Sequence, residues 1–96
     1  MDYQARKVIS ALKAARNAVG WSQDELANRS GIAVVTIARM ESGRVSPRLS
    51  TVGQLKQALE AAGVRIIDES PAGGFTIVVE GRALMSLPPG SDTGPA

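Results

Sequence analysis

The first two thirds of the chain have apolar positions at helical spacing, interrupted by residues that start and stop helices. Over residues 3–19 apolar side chains recur every three or four positions, and Asp2 is placed to cap this first helix. Ser22 and Glu25 have the spacing of a capping box, so a second helix is predicted to begin there. It is predicted to end near Arg29.

Two further helices are predicted before the pattern changes. Gly31 indicates a tight turn, after which a short helix over residues 34–42 places Ile37 and Met40 on one face. Ser and Pro then interrupt the pattern, and a fourth helix is predicted between residues 51 and 63. Its buried face would consist of Val52, Leu55, Leu59 and Ala62.

After residue 63 the pattern changes from helical to β. Residues 64–68 and 75–80 are rich in β-branched side chains and are separated by a turn that contains Pro and Gly, which predicts a β-hairpin. An isolated hairpin is only marginally stable in water. We therefore expect residues 64–80 to form a dimerisation element, through Val64, Ile66, Phe75, Ile77 and Val79. Residues 81–96 are predicted to be a flexible tail, because Pro, Gly, Ser, Asp and Thr dominate from about residue 87.

Composition argues against several classes of function. The chain has no cysteine and no histidine, so it lacks thiolate nucleophiles, imidazole acid–base catalysts and the usual zinc ligands. We expect no enzymatic activity, no metal and no cofactor. One Phe, one Trp and one Tyr provide no platform for stacking single-stranded bases. No apolar run is long enough to cross a bilayer, so a cytoplasmic protein without membrane contact is expected.

Charge is unevenly distributed along the chain. The net charge is +2, but residues 1–63 hold nine Lys and Arg against five Asp and Glu, whereas residues 64–96 hold two against four. The helical part is therefore basic and the extension mildly acidic. This asymmetry favours a polyanionic partner that docks on the helical part.

Two short helices joined by a glycine turn can place the second helix in the major groove of DNA while the first crosses the backbone. Residues 22–43, SQDELANRSGIAVVTIARMESG, resemble the XRE-type helix-turn-helix family, which includes the phage Cro and lambda repressor proteins. The resemblance covers roughly residues 6–63. It implies a mainly α, lambda-repressor-like DNA-binding domain of four to five helices over residues 1–63, followed here by the C-terminal β-hairpin.

The resemblance also implies a function. A chain of this kind is expected to be a sequence-specific, double-stranded DNA-binding transcriptional regulator, and specifically a repressor. A homodimer is expected because one short recognition helix reads only a few base pairs, whereas two helices one DNA turn apart give useful affinity.

Individual residues acquire roles from the same resemblance. Four side chains of the recognition helix are expected to touch base edges: Val34, Val35, Thr36 and Arg39. Arg39 can donate two hydrogen bonds to a guanine, and the valine and threonine methyl groups can meet a thymine methyl. Phosphate contacts are implied for Gln23, Arg44, Ser46 and Arg48, and a structural ion pair for Arg16 and Glu41. The alternatives are solvated polar side chains and, for the valines, core or subunit contacts.

Two positions depart from the family pattern. Ala33 stands where a serine or threonine often caps the recognition helix, so that cap is absent. The pair Val34 and Val35 replaces polar base-reading side chains that many members carry. More of the specificity is then left to Arg39 and to the deformability of the DNA.

Two other functions fit the same pattern. One is an antitoxin-type regulator that binds DNA and also a toxin. The other is a protein-interaction module, in which the Val34–Val35 surface and the apolar face of the hairpin bind other chains without DNA. Interactions that respond little to salt would favour this module over a DNA-binding protein.

Overall fold

The computed structural model describes residues 2–69 and 73–85. These residues confirm the predicted mainly α fold with a C-terminal hairpin. In chain order the elements are α1 (Tyr3–Ala18), α2 (Gln23–Ser30), α3 (Val34–Glu41), α4 (Leu49–Ala61), β1 (Val64–Asp68), β2 (Phe75–Val79) and α5 (Gly81–Leu84).

Local sequence explains where α1 and α2 begin and where α2 ends. The Asp2 Oδ1 accepts a hydrogen bond of 2.8 Å from the Ala5 N–H, and the Ser22 hydroxyl accepts one of 3.0 Å from the Glu25 N–H. Each cap satisfies a backbone donor that has no partner within its helix. α2 ends at Gly31, whose φ of 77° lies in the left-handed region that glycine adopts without steric cost. The chain therefore turns sharply from α2 into α3.

One apolar core holds the helices together. Leu26 of α2 and Ile37 and Met40 of α3 are almost completely buried. Removing a side chain of this size from water contributes about 1.5–3 kcal/mol. The core consists of Ile9, Leu12, Ala15, Val19, Trp21, Leu26, Ile37, Met40, Leu55, Leu59, Val64 and Ala83.

The hairpin packs on its own chain, which removes Val64 from the predicted dimerisation residues. β1 and β2 are antiparallel, with Val64 opposite Val79 and Ile66 opposite Ile77. Because side chains alternate between the faces of a sheet, these four and Phe75 share the face turned toward α1 and α4. Val64 is fully buried, and Ile66, Ile77 and Val79 pack against the same core. Val64 therefore cannot contact a partner, and the other four keep only part of their surface for one.

Polar contacts from α1 hold the far end of the hairpin. The Lys7 ammonium lies 2.6 Å from the Asp68 carboxylate and donates a hydrogen bond of 3.3 Å to the Gly73 carbonyl. The Tyr3 hydroxyl donates to the same carbonyl at 2.9 Å. Only 3% of the Lys7 side chain is exposed, so this charge is neutralised where α1 meets the hairpin.

The chain after β2 forms a short helix, which corrects the predicted tail for residues 81–84. Ala83 of α5 is buried in the core, and the Arg82 guanidinium donates hydrogen bonds of 2.7 and 2.8 Å to the last carbonyls of α4. Carbonyls at a helix C-terminus lack partners within the helix, so these bonds attach α5 to α4. Residues 86–96, the rest of the predicted tail, lie outside the described residues.

Gly63→Ala should destabilise the protein by about 1–3 kcal/mol, because Gly63 has a positive φ and alanine is strained there. Its φ is 96°, and an added Cβ would lie 3.1 Å from the Ala83 Cβ and 3.2 Å from the Ala83 nitrogen. Urea unfolding measures the loss. Gly53→Ala is the matched control: this helical glycine has nothing within 4 Å of an added Cβ, so alanine should stabilise α4 by about 0.5–1 kcal/mol. Equal stability of both variants would contradict the docking of α5 over Gly63.

Candidate nucleic-acid interface

The face of α3 turned away from the core is open to solvent. Val34 is 40% exposed and Val35 52% exposed, Arg39 is exposed and Thr36 is half-buried. The opposite face of this eight-residue helix is held in the core. α3 is thus fixed in orientation by one face while the other remains available to a ligand.

The beginning of α3 has the feature predicted from Ala33. No side chain accepts a hydrogen bond at this N-terminus, and the Ala33 carbonyl accepts bonds from the N–H groups of Thr36 and Ile37. The N–H groups of Val34 and Val35 receive no side-chain cap, and they lie next to the two exposed valine side chains. The helix therefore starts with apolar side chains and uncapped N–H groups.

An open groove of about 590 Å³ runs between α3 and the loop that leads to α4. It brings four of the predicted DNA contacts together: Thr36, Arg39, Ser46 and Arg48. Its lining includes these two arginines and no acidic residue. A concave surface with positive charge attracts polyanions.

Other predicted contacts lie outside this groove. Arg44 is exposed just after α3, and Val34 and Val35 lie on the exposed surface of that helix. Gln23 is half-buried at the start of α2. The predicted contact residues therefore form a groove with two flanks rather than one pocket.

Arg16 and Glu41 form the predicted ion pair, and its geometry is bidentate. The Arg16 Nε and Nη2 each donate a hydrogen bond of 2.8 Å to a different oxygen of Glu41. The Arg16 Nη1 donates to the Trp21 carbonyl, also at 2.8 Å. The side chains are 11% and 4% exposed. This paired geometry joins α1 to the end of α3 and to the turn before α2.

Gln23 belongs to the same network, a role that the sequence reasoning did not foresee. Its Nε2 donates a hydrogen bond of 3.0 Å to the Glu41 carboxylate. A glutamine amide has a second N–H and an acceptor oxygen, so this bond leaves capacity for a phosphate. The phosphate contact of Gln23 stays a prediction. The hydrogen bond of Gln23 to Glu41 links the start of α2 to the end of α3.

The network also changes the ionisation of Glu41. Burial alone would raise the pKa of its carboxyl group, but hydrogen bonds from Arg16 and Gln23 and the positive charges of Arg16 and Lys13 outweigh burial. The pKa of Glu41 is held below its ordinary value as a result. Glu41 is therefore ionised at neutral pH and serves as the common acceptor of the network.

Two other kinds of site are absent from residues 2–69 and 73–85. No three acidic side chains converge there to hold a metal ion. None of the helices in this part of the chain is long and apolar enough to cross a membrane.

Comparison with known proteins agrees with this geometry. A family model described as helix-turn-helix matches residues 12–63, which span the C-terminal part of α1 and all of α2, α3 and α4. Antitoxin HipB of Escherichia coli strain K12 and Antitoxin HipB of Escherichia coli O6:H1 are each 34% identical over 58 residues, or 60% of this chain. The matched segment covers 66% and 62% of the length of these two relatives.

Glu41→Gln should destabilise the protein at neutral pH by about 3–5 kcal/mol, because it leaves the Arg16 charge without its counterion. A lowered pKa in the folded state stabilises the fold above the ordinary glutamate pKa of about 4.3, and this contribution disappears as the pH falls through the lowered value. The difference in unfolding free energy between wild type and Glu41→Gln should therefore shrink at acidic pH. Urea unfolding at a series of pH values measures it.

Glu60→Gln removes an exposed carboxylate of α4 and is the matched control. Its effect at neutral pH should stay within about 0.5 kcal/mol. A Glu41→Gln effect that stays constant from neutral to acidic pH would show that the charge of Glu41 contributes nothing.

Proposed function

The chain belongs to the XRE-type helix-turn-helix family, and from this we propose that it is a sequence-specific, double-stranded DNA-binding transcriptional regulator that acts as a homodimeric repressor in the cytoplasm. The observation that carries this proposal is the exposed outer face of α3 beside the groove lined by Arg39 and Arg48, which the core and the Arg16–Glu41 pair hold in a fixed orientation. An α-helix with its side chains is about 10–12 Å wide and fits the major groove of B-DNA, which is about 12 Å wide.

In this proposal the exposed residues of α3 read bases. Arg39 donates two hydrogen bonds to the O6 and N7 atoms of a guanine. Val34 and Val35 contact the 5-methyl groups of thymines, which suits two apolar side chains that are 40% and 52% exposed. Thr36 lies beside Arg39 in the groove and adds a further methyl and hydroxyl contact.

Phosphate contacts come from both sides of α3. The exposed side chains of Arg44, Ser46 and Arg48 come after α3 in the chain. They contact the phosphates of one DNA strand. Gln23 contacts phosphate from the start of α2 with the part of its amide that Glu41 does not use. Each neutralised phosphate releases counterions, so binding becomes weaker as the salt concentration rises.

Two copies are proposed to bind one operator. The recognition helices of a two-fold dimer enter successive major grooves about 34 Å apart on one side of the DNA. A dimer bound across a promoter excludes polymerase, which is the basis for proposing a repressor.

Arg39→Ala should lower the affinity for the preferred DNA site by about 5- to 150-fold, which corresponds to about 1–3 kcal/mol for one bidentate base contact. Selection from a random duplex library identifies the preferred site, and titration against that site and an unrelated duplex measures the loss. Arg48→Ala should weaken binding to both duplexes and reduce the salt slope by about one per subunit. Replacing thymine by deoxyuridine should lower affinity wherever the valines contact a methyl group.

Arg65→Ala removes the same charge from an exposed position on β1 and is the matched control for both arginines. It should leave affinity and salt slope unchanged. The proposal would be contradicted if the wild type bound selected and unrelated duplexes equally, and if neither salt nor Arg39→Ala changed this binding. That result would favour the protein-interaction module.

The similarity to Antitoxin HipB favours a second candidate, an antitoxin-type regulator that also binds a toxin. If this is correct, the product of a gene next to its own should arrest growth when expressed alone, and co-expression of this chain should restore growth. Co-expression of the Arg39→Ala variant should restore growth equally well, because neutralising the toxin does not require contacts with DNA bases. If the products of the neighbouring genes do not affect growth, the antitoxin proposal fails and the regulator without a toxin partner is retained.

A further inference from the structure

The exposed face of α3 offers a restricted set of chemical groups for reading bases. Its eight residues, VVTIARME, include no Asn and no Gln, so the amide side chains that bind the N6 and N7 atoms of adenine are absent from this helix. Glu41 is its one carboxylate, and both oxygens of Glu41 accept hydrogen bonds from Arg16. The amino group of cytosine, which donates hydrogen bonds, therefore finds no free carboxylate on α3.

The remaining side chains of this face distinguish pyrimidines by one feature only. The Thr36 hydroxyl is both a donor and an acceptor, so it can bond to the O4 atom of thymine or to the N4 amino group of cytosine. Val34 and Val35 form no side-chain hydrogen bonds and contact methyl groups instead. A pyrimidine is thus recognised on α3 by its 5-methyl group and not by its exocyclic oxygen or amino group.

Val35 and Arg39 lie on the same side of α3. Residues four apart on a helix are about 40° apart around the axis, with about 5–6 Å between their Cβ atoms. Val35 is 52% exposed and Arg39 is also exposed. Neighbouring bases of one DNA strand are about 3.4 Å apart. When Arg39 binds a guanine, Val35 therefore faces the adjacent base pair.

Charge favours DNA as the occupant of this apolar surface. The groove beside it carries the positive charges of Arg39 and Arg48, and no acidic side chain is among the described residues that line it. A duplex brings phosphates to these charges and a methyl group to Val35 at the same time. An apolar protein partner would instead bury two guanidinium groups without counterions, which is costly.

We propose that Val35 and Arg39 together recognise 5-methylcytosine as well as thymine beside a guanine, so that C5 methylation of DNA strengthens binding where cytosine occupies this position. Thymine and 5-methylcytosine present the same methyl group in the major groove. Because Val35 contacts only that methyl group, it binds the two bases alike and binds unmethylated cytosine less well. The inference rests on the base reading of the proposed function and adds the methylation state of the DNA as a signal to which the regulator responds.

Four duplexes separate the methyl group from the base pairing. Selection from a random library identifies the preferred site, and the guanine whose selection Arg39→Ala abolishes marks the position of Arg39. The pyrimidine beside that guanine is then made thymine or deoxyuridine opposite adenine, and 5-methylcytosine or cytosine opposite guanine. Each pair of duplexes differs by one methyl group. Titration should show about fourfold tighter binding to the methylated member of each pair per half-site, which is the effect of burying one such group.

Val35→Ala assigns this effect to a residue. It should reduce both methyl preferences to about one, because alanine is too short to contact the methyl group. Val34→Ala is the matched control: Val34 is 40% exposed on the same helix but lies about 140° around the axis from Arg39, so both preferences should remain. Neither valine belongs to the core, and circular dichroism verifies that both variants fold.

Equal affinity of the wild type for the methylated and unmethylated members of both pairs would refute this inference and leave sequence-specific DNA binding intact. A selected site without a pyrimidine beside that guanine would do the same. The assignment to Val35 would be overturned if Val34→Ala, and not Val35→Ala, abolished the preferences.

A preference for thymine over deoxyuridine without one for 5-methylcytosine over cytosine would also refute the inference, because it would show that the exocyclic group is read. If the wild type selects no DNA sequence at all, the proposed function fails together with the inference.

Discussion

The structure depends on the burial of one face of α3. A helix of eight residues is not stable alone in water, because nucleation is costly and few hydrogen bonds repay it. Ile37 and Met40 attach α3 to the core, where both are at most 1% exposed. The Arg16–Glu41 pair then fixes the end of the helix through two hydrogen bonds of 2.8 Å. Hydrophobic burial gives α3 its stability, and the ion pair gives it an orientation.

The same division explains which features the sequence predicted. Helix starts at Asp2 and Ser22 and the turn at Gly31 depend on neighbours within four residues, so local pattern was sufficient to locate them. The Arg16–Glu41 pair joins residues 25 positions apart, and it was anticipated only through the family resemblance. Gln23 was assigned to phosphate alone, because nothing in its local sequence indicates that the Glu41 carboxylate lies within 3.0 Å.

The errors at the C-terminus have physical causes of their own. The alternating pattern located β1 and β2, but it does not say which neighbour covers the apolar face. α1 and α4 of the same chain cover it, so Val64 was wrongly assigned to a dimer interface. α5 has only four residues, too few to show a helical period, and its position depends on Arg82 reaching the carbonyls at the end of α4. Such contacts between distant segments leave no trace in local composition.

α1 connects the recognition helix α3 to the C-terminal hairpin. Arg16 near its end holds α3, and Lys7 near its beginning holds the tip of the hairpin through Asp68 and Gly73. These two residues are separated by about 13 Å of continuous helix. α1 therefore couples the orientation of α3 to the position of the hairpin, because one continuous helix carries both attachments. The length and phase of α1 thus set the angle between the hairpin and the outer face of α3, and a single residue inserted between Lys7 and Arg16 would rotate one attachment against the other by about 100°.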